Sequence, residues 1–219
     1  MRVLLADDHA LFRSGLRLLL TDAGLVTGFD EAGSLDAALE LLEQGLEPDL
    51  MLFDLRMPGM AGGATLRVLR AQRPAAKLAV VSASEAREDI LDALAAGAHG
   101  YIPKSASPDE LLGALRQIIA GGIYAPPALA TVSPIDMEDR PAPPRNAAGP
   151  SAGALIRLTE RQNEVMALLA EGKSTKEIAR ELKRGEGTIK IHLAAIYRAL
   201  NARNRTEAVV LAGKLLQRR

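Results

Sequence analysis

The first 122 residues alternate short apolar runs with longer segments in which apolar residues recur every three or four positions. Short apolar runs predict buried strands, and the longer pattern predicts helices that cover them. The predicted strands lie near residues 2–7, 26–31, 49–54, 77–82 and 99–102. The predicted helices lie near residues 10–23, 35–45, 62–72, 86–96 and 108–120. This order predicts an α/β fold with a five-stranded, doubly wound parallel sheet.

The apolar pattern stops between Ala125 and Gly153, where proline becomes frequent. Seven of the chain's twelve prolines fall in this segment. Such a segment buries too little apolar surface to offset the entropy lost on ordering, and its prolines favour extended backbone. We therefore predict a linker over residues 123–154, between one domain at 1–122 and another at 155–219.

The second domain is predicted to be all-α, with four short helices. A capping residue followed three positions later by Gln or Glu marks the first two helices, at Thr159 and Ser174. A third helix is predicted over about 186–200 and a fourth over 206–216. A tight turn that contains glycine joins the second and third helices, as in helix-turn-helix motifs.

Charge separates the two domains, although the formal net charge of the chain is zero. Residues 1–150 hold 13 Lys/Arg against 20 Asp/Glu, whereas residues 151–219 hold 14 against 7. An acidic domain suits cation binding, and a small basic domain suits a polyanion such as nucleic acid. The opposite charges could equally attract the two domains to each other.

The chain has no cysteine, which excludes disulfides and thiolate metal ligands. No stretch approaches the roughly 18 apolar residues of a membrane span, and the first apolar run is too short for a secretory signal. We therefore expect a soluble, cytoplasmic protein with no membrane partner.

Charged residues follow three of the predicted strands. Asp7 and Asp8 follow the first, Asp54 the third and Lys104 the fifth. The carboxyl ends of parallel strands meet at one edge of a sheet, so these side chains should lie together. Three acids in one place repel one another unless a divalent cation or a lysine offsets their charge. The pattern therefore predicts a site for Mg²⁺ and a phosphoryl group, whereas His9 has no metal-ligand companion at a useful spacing.

The order and spacing of these residues resemble the receiver domain of two-component response regulators, which has a flavodoxin-like fold. The resemblance covers about residues 1–122 and includes the run from Asp54 to Gly59. It implies that Asp54 accepts a phosphoryl group from a histidine kinase. It also implies that Mg²⁺ is held by Asp8, by Asp54 and by the backbone carbonyl of Arg56, with Asp7 acting mainly through a bound water.

The same resemblance assigns three further residues. Lys104 would pair with a phosphoryl oxygen, Ser82 would move toward the phosphoryl group, and Tyr101 would turn inward to fill the vacated space. Two alternatives stay open. Ser82 could cap the following helix, since Glu85 lies three residues later, and Tyr101 could simply be a packing residue.

The C-terminal sequence resembles the helix-turn-helix of LuxR-type regulators over roughly residues 155–216. The resemblance rests on Leu158–Val165, Leu168–Ser174, Lys176–Ala179, Thr188–His192 and Asn204–Val209. Together with the receiver-like domain, the whole chain resembles a response regulator of the NarL/FixJ class. In that class the third helix enters the major groove of double-stranded DNA.

The predicted DNA contacts fall into two sets. Residues on the third helix that would face the groove are Glu186, Gly187, Lys190 and Ile191, with Ala194 a further candidate. His192 is a candidate too, although a histidine on such a face is more often a packing residue. Residues that would contact phosphates are Thr175, Lys176, Thr188 and Arg205. The turn before this helix departs from the family pattern: Arg184 and Gly185 replace an apolar residue and a serine cap, and Gly187 adds a second glycine. Two glycines should weaken the start of the helix.

The sequence thus predicts a transcription regulator whose DNA affinity rises when Asp54 is phosphorylated, and no enzyme activity beyond slow self-dephosphorylation. In the resembling family, the unmodified receiver can cover the third helix, and its release permits a homodimer through the last helix. One alternative is a regulator that a ligand or protein partner controls without phosphorylation. Another is a phosphotransfer enzyme that acts on small molecules.

Overall fold

The structure, a computed structural model, describes residues 1–130 and 158–216. The N-terminal domain follows the alternating order that the sequence predicts. Its elements are β1 Arg2–Ala6, α1 Ala10–Asp22, β2 Gly28–Ala32, α2 Leu35–Glu43, β3 Leu50–Phe53, α3 Gly63–Gln72, β4 Lys77–Ser82, α4 Arg87–Ala95, β5 Gly100–Pro103 and α5 Pro108–Ile119. A short 3₁₀ helix at Pro127–Ala130 follows. Most of the predicted linker lies outside the described residues.

Within the described chain, the strands form one parallel sheet in the order β2-β1-β3-β4-β5. Strands β1 and β3 are neighbours at its centre, and Ala6 pairs with Phe53 at their ends. Both strands are buried on both faces by helices, which explains their continuous apolar sequences. Asp7 and Asp54 follow directly, so the topology brings them to the same edge. The predicted α/β fold is confirmed.

The C-terminal domain contains α6 Glu160–Ala170, α7 Thr175–Glu181, α8 Glu186–Leu200 and α9 Arg205–Leu216. Helices α6 and α7 both begin with complete capping boxes, at Thr159 and Ser174. Helix α8 begins after Gly185, which provides no side-chain cap. The core of this domain includes the apolar residues of α8 that recur at helical spacing, which are Ile189, Leu193, Ile196 and Leu200.

Helix α8 also packs against helix α3 of the N-terminal domain. Ile191 has no exposed surface and belongs to the hydrophobic cluster that contains Leu66 and Leu69 of α3. Beside it, Nη1 of Arg198 donates a hydrogen bond of 2.6 Å to the carbonyl oxygen of Ala61. We call this contact between the two domains the closed arrangement.

Candidate functional site

The acids predicted to follow the strands meet at the carboxyl edge of the sheet. Asp7, Asp8, His9 and Asp54 each place one possible ligand atom within 4.8 Å of the others. Asp7 and Asp54 are buried, whereas Asp8 is exposed. The amide of His9 donates to Oδ1 of Asp7 at 2.8 Å, and the amide of Arg56 donates to Oδ1 of Asp54 at 3.0 Å. The backbone therefore fixes the orientation of both buried carboxylates.

Lys104 bridges the two buried acids. Its Nζ lies 2.7 Å from Oδ2 of Asp7 and 2.8 Å from Oδ2 of Asp54. Burial lowers the pKa of Lys104, but the hydrogen bonds to Asp54 and Asp7 outweigh this effect and raise its pKa above the ordinary value. The ammonium group thus stays charged and offsets part of the negative charge of the cluster.

Ser82 and Tyr101 are both buried and both contact the loop that follows β4. The hydroxyl of Tyr101 donates to the carbonyl oxygen of Ser84 at 2.6 Å, and Oγ of Ser82 accepts from the amide of Ser84 at 3.3 Å. Helix α4 begins only at Arg87, after Ala86, and has no side-chain cap. The alternative in which Ser82 caps this helix is therefore wrong.

Two residues beside the acids have contacts that the sequence does not predict. Nδ1 of His9 lies 2.9 Å from Oδ1 of Asp8 and 3.4 Å from Nζ of Lys104. The guanidinium of Arg56 pairs with Asp89 of α4 at 2.6 Å. The contacts of His9 could have been expected from its position directly after Asp8, because the next residue at a strand end stays near the same edge of the sheet.

The predicted DNA contacts divide into covered and exposed residues. Thr188, Ile191 and His192 are only 6%, 0% and 2% exposed, whereas Glu186, Lys190 and Lys176 are exposed. Thr175 is half-buried, as is Arg205, whose guanidinium donates to the carbonyl oxygen of Lys173. The closed arrangement therefore covers part of the α8 surface that the sequence assigns to DNA.

Acids of helix α2 contact helix α8 and the turn before it, and none of them belongs to the residues predicted from the sequence. Arg184 forms ion pairs with Glu40 and Glu43. Nδ1 of His192 lies 3.7 Å from Oδ1 of Asp36. The opposite charges of the two domains were the only sequence signal for this contact, and they do not identify the residues.

Two family models match the chain. Residues 3–116 match the response regulator receiver domain, and residues 157–212 match the bacterial regulatory proteins of the luxR family. The glycerol metabolism activator of Pseudomonas putida is 36% identical over 98% of this chain and 96% of that protein. The nitrate/nitrite response regulator NarL of Escherichia coli K12 is 36% identical over 95% of this chain and 93% of that protein.

Among solved structures, the RcsB response regulator of Salmonella typhimurium has the same fold. Its TM-score is 0.57 at 22% identity, with 100% of this chain and 99% of that chain covered. The chain therefore belongs to the response regulators that join a receiver domain to a LuxR-type DNA-binding domain. It is a two-component transcription regulator. Helices long and apolar enough to cross a bilayer are absent from residues 1–130 and 158–216.

Proposed function

We propose that Asp54 is the phosphoacceptor and that its phosphorylation by a histidine kinase releases helix α8 to bind double-stranded DNA. One observation carries this proposal. The domain that holds the Asp7, Asp54 and Lys104 cluster also buries Ile191 and His192 on the predicted DNA face of α8. A change of charge at Asp54 can therefore act on the surface that covers the DNA-binding helix.

The residues around Asp54 have separate roles in this proposal. A carboxylate oxygen of Asp54 forms a bond to phosphorus as the bond from phosphorus to the donor's imidazole nitrogen breaks. The amide of Arg56 holds the carboxylate in place. Lys104, which now pairs with Asp54, would pair with a phosphoryl oxygen as a compact positive charge.

The cluster has more negative than positive charge and can therefore bind a further cation. The carboxylates of Asp7, Asp8 and Asp54 lie together, and Lys104 neutralises only one of the three charges. These carboxylates and the backbone carbonyl of Arg56 would hold Mg²⁺, which prefers oxygen ligands, with Asp7 acting mainly through water. Bound Mg²⁺ would screen the repulsion between the carboxylate and the phosphate.

The loop after Asp54 provides a short route from the site to the contact between the domains. The carbonyl oxygen of Gly59 accepts a hydrogen bond of 2.9 Å from Nε2 of Gln162, and that of Ala61 accepts one from Arg198. Ser82 and Tyr101 would respond to the phosphoryl group on the other side of Asp54. Movement of these loops would loosen the contacts that hold α8.

Release of α8 would also expose the surfaces for assembly on DNA. Two protomers would then pair through α9 and bind half-sites about one helical turn, ~10 bp, apart. Lys190 and Glu186 would approach base edges, while Lys176 and Arg205 would contact phosphates.

The first experiment measures phosphoryl transfer to the intact chain from a small phosphodonor by intact-mass spectrometry. We expect incorporation that requires Mg²⁺ and that is abolished by Asp54→Asn. Asp22→Asn, which changes an exposed acid at the end of α1, is the matched control and should be phosphorylated normally. Normal phosphorylation of Asp54→Asn would contradict the assignment of Asp54.

A further inference from the structure

The start of helix α8 lacks the side-chain cap that helices α6 and α7 have. Helices α6 and α7 carry complete capping boxes, in which a Ser or Thr hydroxyl and a Gln or Glu side chain satisfy exposed amides. Helix α8 has Gly185 at the N-cap position and Thr188 at the third position, so its own side chains provide neither half of such a box.

Glu43, at the end of helix α2 in the receiver domain, supplies the missing carboxylate. Its Oε1 accepts a hydrogen bond of 2.8 Å from the amide of Gly185. Nη1 of Arg184 donates a hydrogen bond of 3.0 Å to Oε2 of the same carboxylate. In a capping box, a Glu at the third position of the helix accepts from the N-cap amide, and Glu43 makes this contact from the other domain.

The protonation of Glu43 agrees with this role. Burial raises the pKa of Glu43, but the hydrogen bonds from Thr188, Gly185 and Arg184 outweigh it and hold the pKa below the ordinary value. All three donors belong to the DNA-binding domain. The carboxylate is therefore ionised at neutral pH and is stabilised mainly by that domain.

The backbone at position 185 does not require glycine. Gly185 has φ −66° and ψ 145°, close to the φ −65° and ψ 161° of Ser174, which caps α7. A serine would fit this backbone. A β-carbon at position 185, however, would lie 3.3 Å from Oε1 of Glu43, a tight contact. Glycine thus leaves room for the receiver carboxylate.

Gly187, two residues after Gly185, leaves room in the same way for another side chain of the receiver domain. A β-carbon there would lie 2.5 Å from Cδ of Gln72 at the end of α3, so the glutamine would have to move. A glycine in the first turn of a helix makes the helix less stable than an alanine there would. Both departures from the usual helix start therefore favour contact with the receiver over stability of the isolated helix.

From these contacts we propose that Glu43 caps the DNA-binding helix from the receiver domain, and that Arg184, Gly185 and Gly187 form its docking turn. In the closed arrangement the receiver completes the start of α8. Opening removes this cap, so the first turn of α8 loses an amide partner until DNA orders it. The proposal concerns the contact in the closed chain, and its effect on DNA binding rests on the proposed function.

Hydrogen exchange of the Gly185 amide tests the cap without DNA or phosphodonor. In the intact chain, Glu43→Ala should accelerate exchange of this amide by about tenfold or more, because a hydrogen bond to a charged group is lost. Glu47→Ala, which removes a nearby exposed acid beyond the end of α2, should leave the rate unchanged. Equal exchange in wild type and Glu43→Ala would overturn the proposal. If Glu43→Ala does not fold, Glu43→Leu, which keeps an apolar side chain but has no acceptor for the amide, is compared in the same way.

DNA affinity of the same unphosphorylated proteins gives the second measurement. Glu43→Ala and Gly187→Ala should both bind DNA about tenfold more tightly than wild type, because each weakens the closed arrangement, while Glu47→Ala should bind as wild type does. Unchanged affinity in a chain that binds DNA on phosphorylation would overturn the regulatory role of the cap. Absence of DNA binding in every protein would instead contradict the proposed function, while the exchange data would still decide whether the cap exists.

Discussion

At the scale of single residues, Lys104 supplies the positive charge that pairs with the two buried acids of the site. Its ammonium group touches both Asp7 and Asp54 and lies 4.8 Å from the centre of the Phe12 ring. The side chain is 12% exposed, so solvent screens these contacts only in part. Removal of Lys104 would leave two buried carboxylates without their cation.

We expect Lys104→Gln to lower the free energy of unfolding by about 2 kcal/mol, because breaking a partly buried ion pair leaves uncompensated charge. Added Mg²⁺ should restore more stability to this variant than to wild type, since it supplies the missing positive charge. Thermal melts with and without Mg²⁺ measure both effects. Arg17→Gln breaks an exposed pair with Glu31 and should change little. A variant as stable as wild type without Mg²⁺ would contradict this role of Lys104.

The sequence predicts that these side chains lie together because each follows a strand end. Asp7, Asp54 and Lys104 are adjacent to apolar runs, and parallel topology brings such positions together. The contacts of His9 and Arg56 are harder to predict from the sequence. They join His9 to Asp8 and Lys104, and Arg56 to Asp89, and they depend on the directions of side chains rather than on the order of the strands.

At the scale of elements, local sequence marks the start of helices α2, α5, α6 and α7, each of which has a side-chain cap. The capping boxes predicted at Thr159 and Ser174 are both present. Helix α7 has only seven residues, and so short a helix depends on its cap and on packing. Helix α8, like α1, α3 and α4, has no cap from its own N-cap side chain. Its N-cap amide pairs instead with Glu43, a residue far away in sequence that no local pattern can indicate.

Ser174→Ala should destabilise the chain by about 1 kcal/mol, because the amide of Glu177 loses its capping partner, the hydroxyl of Ser174. Urea unfolding followed by circular dichroism measures the change. Ser14→Ala, at an exposed position inside α1, is the control and should be neutral or slightly stabilising. A loss of stability as large at Ser14 as at Ser174 would show that the cap is not responsible.

At the scale of the whole molecule, the closed arrangement buries a histidine between the domains. Burial lowers the pKa of His192, and of the charges around it Asp36 and Glu43 raise the pKa while Arg161 and Arg184 lower it. The net direction is downward, so the closed form binds fewer protons than the open form. The closed form should therefore be favoured at high pH and weaken as the pH falls through about 6.5, the ordinary pKa of histidine.

The absence of cysteine from the chain permits a direct test of this pH dependence. Cysteines introduced at the exposed positions Glu47 and Arg180 can carry a donor and an acceptor dye. Energy transfer should fall as the pH is lowered from about 7 to about 5 in the otherwise wild-type chain, because protonation of His192 opens the domains. His192→Gln cannot take up this proton and should respond less. Identical pH profiles for both chains would contradict the role of His192.

A phosphoryl group on Asp54 should open the closed arrangement and so allow the chain to bind DNA. The most direct measurement is the DNA affinity of the intact chain with and without a phosphodonor in Mg²⁺, for wild type and Asp54→Asn, at one fixed salt concentration. We expect the donor to tighten binding by wild type by about tenfold or more and to leave Asp54→Asn unchanged. Equal affinity of wild type with and without the donor would contradict the claim.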